Sequence, residues 1–99
     1  MLLQIQNIKI PPSAALDQYT RAKLAKIIDR YKIIKNLEVY FKFENKSPDN
    51  SRICEIECAI PGGRIHARAS KKYYEEAVNK AIVEISRQLE KKKDSITTY

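Results

Sequence analysis

Alternating apolar residues, sustained over three stretches, constrain this chain more than any other feature. From Leu37 to Glu44, the residues Leu37, Val39, Phe41 and Phe43 alternate with Glu38, Tyr40, Lys42 and Glu44. Successive side chains of a strand point to opposite faces, so the pattern predicts a strand with one apolar and one polar face. Arg52 to Ile60 repeats it: Cys54, Ile56, Cys58 and Ile60 share the inner face, and Glu55 and Glu57 lie on the outer one. Pro61-Gly62-Gly63 then turns the chain. Arg64 to Ala69 returns it with Ile65, Ala67 and Ala69 inward and Arg64, His66 and Arg68 outward. The polar segment 45–51, NKSPDNS, is rich in turn formers and connects the first two strands. A sheet with one apolar face folds only if another layer covers that face.

Two amphipathic helices can supply the cover. Ser13 is an N-cap candidate for a helix to about Tyr31, with Leu16, Thr20, Leu24, Ile27, Ile28 and Tyr31 as its inner stripe. The last helix is expected from about Tyr73 to Lys93, with Tyr74, Val78, Ala81, Ile82, Ile85 and Leu89 inward. Leu3 to Ile10 reads as an opening strand whose alternation slips at Ile8 and which Pro11-Pro12 stops. The order is therefore β-α-β-β-β-α, an α+β fold. The first βαβ unit should cross over right-handedly and make its strands parallel. The later pairs are antiparallel, so the sheet is four-stranded and mixed, with both helices on one face. One domain over residues 1–94 is expected, with 95–99 a frayed tail.

Lys and Arg number 19 against 12 Asp and Glu, a net charge of +7. The surplus is uneven: net +5 over residues 1–36, zero over 37–70 and +2 over 71–99. Such a balance suits a polyanionic partner. No apolar run spans a membrane, and MLLQIQNIKI lacks the features of a signal peptide. A cytoplasmic protein is the expectation. Cys54 and Cys58, on one strand, would lie roughly 13 Å apart at ~3.3 Å per residue. A disulfide needs Cα atoms within about 7 Å, so the two read as small buried hydrophobes.

Chemistry finds little support. There is one histidine, and there is no phosphate-cradling glycine loop and no metal-spaced cluster. No enzymatic activity, cofactor, metal or small-molecule substrate is expected. Glu55 and Glu57 face Arg64, His66 and Arg68 across a hairpin; cross-strand pairing is the simpler account of both sets, and Arg64, His66 and Arg68 are also candidate RNA contacts. The helix charges point further. Tyr19, Lys23, Lys26 and Arg30 follow a helical stripe with no interleaved acid. Lys80, Arg87 and Lys91 form another, interrupted by Glu84, before the trailing Lys92 and Lys93. A solvated helix face is the ordinary fate of such charges. An unbalanced stripe, however, suits phosphate contact, and two stripes on neighbouring helices could form one basic surface. Tyr19 and Tyr31 could stack on bases, though packing at the core or rim is the simpler reading.

Four segments give the chain a family resemblance: AKLAKIIDRY (22–31), LEVYFKFE (37–44), ECAIPGGRIHARAS (57–70) and EEAVNKAIVEISRQLEKKKD (75–94). In this order and spacing the chain resembles the ribosome hibernation-promoting factor family, which includes ribosome-associated inhibitor A. The resemblance implies a β-α-β-β-β-α fold related to double-stranded RNA-binding domains. It implies binding to the small ribosomal subunit and its rRNA in the mRNA–tRNA channel, which blocks translation and protects idle ribosomes. The family's basic positions fall on Lys23, Lys26, Arg87, Lys91 and Lys93, and its strand histidine on His66. The family often has an acidic residue before the last helix, where this chain has Lys71-Lys72-Tyr73-Tyr74, and often a lysine at Glu84. The chain resembles the short forms without a dimerisation domain, and a monomer away from the ribosome is expected. Two other readings compete: a generic double-stranded RNA-binding module, and a protein-interaction module working through the open sheet face with Tyr40, Arg64 and Arg68.

Overall fold

A computed structural model describes residues 2–96, with side chains described from residue 3 to 93. Six elements follow in order: β1 (Leu2–Asn7), α1 (Ala14–Arg30), β2 (Asn36–Phe43), β3 (Arg52–Ile60), β4 (Gly63–Lys71) and α2 (Tyr74–Ile96). The strands form one sheet in the order β1-β2-β3-β4. β1 and β2 are parallel; β2–β3 and β3–β4 are antiparallel. The expected α+β order and mixed sheet are therefore the observed ones.

The boundaries differ where local backbone overrides side-chain pattern. β1 ends at Asn7 rather than Ile10, because Lys9 takes a φ of 59°, a left-handed value that no strand accommodates. Ser13 caps α1 as expected: its side chain accepts from the Leu16 N–H at 3.2 Å. α1 closes one residue early, with Tyr31 as its C-cap donating its N–H to the Ile27 carbonyl. β4 is longer than its alternation suggested and reaches Lys71. α2 continues as helix to Ile96, beyond the expected end at Lys93, and residues 97–99 of the expected tail lie outside the described residues.

Ile60 pairs with Gly63, so Pro61 and Gly62 are the two turn residues. Proline fixes φ near −65°, which rules out the primed hairpin turns, and Gly62 at φ +85° supplies the left-handed second position of a type II turn.

The core lies between the sheet and the two helices. Leu24 of α1, Leu37, Val39, Phe41 and Ile56 of the sheet, and Val78, Ile85 and Leu89 of α2 are all completely buried. Most of the inner faces read from the alternation are buried, with Ile28, Tyr74 and Ile82 partly so, but Phe43, expected on the inner face, is 50% exposed because β2 ends there, past the helix cover. Ile53 is an exception that periodicity missed. It belongs to the outward set with Glu55 and Glu57, between Lys42 and Ser70 in register, yet it is fully buried and stands apart from the main core cluster. Tyr74 anchors the start of α2: its ring meets Phe41 edge-on at 5.5 Å and its hydroxyl donates to the Lys42 carbonyl at 2.9 Å.

Two contacts fix how the helices lie. The Tyr19 hydroxyl donates to Asn79 Oδ1 at 3.1 Å, and the Tyr31 hydroxyl donates to Glu90. Early residues of α1 thus meet early residues of α2, and late meet late, so the helices run parallel, side by side. The topology demands it, since β1 and β4 point the same way and each helix returns antiparallel to the strand before it.

Candidate nucleic-acid interface

The open sheet face is closed electrostatically. Arg64 reaches Glu38 at 3.1 Å and Glu57 at 3.4 Å. Arg68 reaches Glu55 at 2.5 Å and Glu44 at 3.3 Å. Lys42 lies 2.9 Å from Glu55, and Lys46 lies 3.3 Å from Glu44. Register produces this lattice, because Glu55 stands opposite Arg68 and Glu57 opposite His66. The carboxylates answer to it. The Tyr40 hydroxyl, with Arg64, holds Glu38 below the usual carboxylate range, and Lys46 and Arg68 do the same for Glu44. Partial burial pushes Glu55 up, but Lys42 and Arg68 together outweigh it and hold the carboxyl low. Of the three outward basic residues of β4, two are thus committed to carboxylates. The exposed His66 lends its backbone carbonyl to the Gln88 side chain of α2 at 2.7 Å.

The helix layer is different. Lys23 and Lys26 have no carboxylate within ion-pair distance among the described residues. The Lys23 ammonium lies over the Tyr19 ring at 5.4 Å, and Tyr19 itself is tied to Asn79. The α1 stripe therefore faces α2. Arg30, at the end of that stripe, stands 3.8 Å from Glu90 with its guanidinium over Tyr31. Glu90 accepts from Tyr31 and from Lys93, which lower its pKa, and the same bond raises that of Tyr31. Tyr31 is buried and Tyr19 half-buried, so both act in packing and in joining the helices.

The α2 stripe is turned away. Asn79 and Glu90 mark the line of α2 that faces α1; at about 100° per residue, Lys80, Arg87 and Lys91 lie roughly a quarter turn around, toward the β4 edge. A seam of Asn79, Val83, Ser86 and Glu90 parts the two stripes. Glu84 also sits within the second one, 3.5 Å from Lys80 and 3.2 Å from Arg87. Lys91 and Lys92 are exposed and have no carboxylate partner among the described residues. Among the described residues, the cations of the helix layer without a carboxylate partner are thus Lys23 and Lys26 on α1 and Lys91 and Lys92 on α2. Among the described residues no group of His, Cys, Asp and Glu could hold a metal ion, and no helix is long and apolar enough to cross a membrane.

Residues 3–97 match the family described as Sigma 54 modulation protein / S30EA ribosomal protein. No curated protein matches. Two solved structures share the fold. A ribosomal subunit interface protein from Coxiella burnetii superposes with a TM-score of 0.84 at 24% identity, over 95% of this chain and 99% of that one. The Protein Y N-terminal domain of Thermus thermophilus gives 0.73 at 20% identity, over 89% and 93%. These findings uphold the resemblance to the ribosome hibernation-promoting factor family. With residues 3–97, nearly its whole length, matched, the chain belongs to the Sigma 54 modulation protein / S30EA ribosomal protein family.

Proposed function

We propose that this protein is a translation inhibitor of idle ribosomes. It binds the small subunit in the mRNA–tRNA channel and occludes it, making phosphate contacts to rRNA from the outer surface of the helix pair. The family supports a ribosome partner. The observation that carries the choice of surface is the contrast between the two faces. Arg64 and Arg68 are already held by carboxylates, while Lys23, Lys26, Lys91 and Lys92 have no such partner among the described residues. A cation without a carboxylate neighbour loses no existing pair when it meets a phosphate. Lys80, Arg87, Arg30 and Lys93 serve as outlying contacts that must first exchange Glu84 or Glu90 for phosphate. The protein works in the cytoplasm, as a monomer away from the ribosome.

Co-sedimentation with purified small subunits across a salt series tests this reading. Binding should weaken steeply as salt rises, and the absence of binding at low salt would sink it. The same series with free duplex RNA separates it from a generic duplex binder, which would hold both ligands alike.

A further inference from the structure

Where β2 leaves the sheet and β3 enters it, aromatic rings and cations gather outside the core. Phe43 and Arg52 are register partners there. Phe43 is 50% exposed and Tyr73 is 54% exposed; apart from Val83, no other large hydrophobic among the described residues is so open. The Arg52 guanidinium lies 5.7 Å from the Phe43 ring centre and 5.9 Å from that of Tyr74, and its Nη1 donates to the Lys72 carbonyl at 3.0 Å. The Lys72 ammonium lies over the Tyr73 ring at 5.6 Å. Beside Phe43 and Arg52 is an open depression of about 240 Å³, bounded by Asn45, Lys46, Ser47 and Pro48.

Each feature selects against an ordinary explanation. Exposing two aromatic rings at one end of a small domain forgoes burial that the core would have rewarded. The depression is below the roughly 300 Å³ of small-molecule sites, and it is open beside the exposed Phe43 ring. Arg52, Lys71 and Lys72 have no carboxylate partner among the described residues, although Glu75 and Glu76 open α2 close by and Glu44 holds Lys46. The local charge is therefore mixed. A phosphate run alone has little to gain here, whereas a flat ring with one phosphate beside it does.

We propose that this ledge is a stacking site for unpaired bases of single-stranded RNA, with Phe43 and Tyr73 as platforms and Arg52, Lys71 and Lys72 beside the phosphates. Duplex RNA does not qualify, since its bases are already stacked on one another. The site rests on the reading of this chain as an RNA-facing protein, but it uses none of the helix lysines on which that reading depends.

The test is fluorescence anisotropy with a short labelled oligouridylate at low salt. The intact chain should bind it, and Phe43→Leu with Tyr73→Leu should weaken binding by at least about tenfold, the scale of one lost aromatic–base stack. Lys23→Gln with Lys26→Gln should leave oligouridylate binding unchanged while weakening small-subunit binding. Tyr73→Leu alone, at a position more than half exposed, preserves the test should the double variant unfold on heating earlier than the parent. No oligouridylate binding by the parent, or parental affinity in the ring variants, overturns the site. So does loss of ribosome binding in those variants with oligouridylate binding intact, which would put a protein on the ledge. Failure of the parent to sediment with subunits, with ring-dependent oligouridylate binding retained, would remove the ribosome reading and leave this one standing.

Discussion

Cys54 and Cys58 show how much a single position can carry. Both thiols are free and buried, and burial pushes them up to about 12 and about 11 respectively. The thiolate is the reactive form, so both are inert at neutral pH. A thiol reagent should label neither in the native protein and both after denaturation; fast native labelling would contradict the burial. Their inertness was legible from the alternation that put them on the inner face. Ile53 was not legible, because it breaks that alternation and is buried on the side where its neighbours in register are Lys42 and Ser70. Nor was the left-handed Lys9, since lysine carries no preference for that conformation and only the path of the chain imposes it.

Among elements, the sheet face and the helix pair behave oppositely toward charge. The lattice on the sheet holds Glu38, Glu44 and Glu55 below their ordinary value of 4.5, and the helix junction does so for Glu90. A carboxylate with a depressed folded pKa contributes stability that is present above its unfolded value and disappears as pH falls through the folded one. The thermal midpoint should therefore hold from neutral pH to about 4.5 and drop below it. Glu55→Gln should lower the midpoint at neutral pH and make the acid decline shallower; an unchanged decline would mean that Glu55 is not coupled to Lys42 and Arg68. Pairing across β3 and β4 followed from two alternations facing each other over the Pro61-Gly62-Gly63 segment, of which the structure leaves only Pro61 and Gly62 in the turn. The further reach of Arg64 to Glu38 and of Arg68 to Glu44 on β2 needed the register of a third strand.

For the whole molecule, the net charge of +7 suits a polyanionic partner without indicating which surface would meet it. Distribution decides that, and it yields a prediction with two arms. Lys23→Gln with Lys26→Gln should weaken small-subunit binding and reduce the salt slope by roughly two, about one for each phosphate contact removed. Arg64→Gln with Arg68→Gln should lower thermal stability and leave the slope alone. The reverse outcome would move the interface to the open sheet face. The sequence by itself determined the element order, most of the inner faces, a turn within Pro61-Gly62-Gly63 and the α1 stripe, because all of these are set by spacing along the chain. The tertiary structure decided which charges stay available. Parallel helices turn the α1 stripe toward α2 and the α2 stripe toward the β4 edge, Glu84 and Glu90 claim several of the cations, and the sheet lattice claims Arg64 and Arg68. Charge pairing depends on distances of a few ångströms between residues far apart in the chain, and only the packed fold sets those distances.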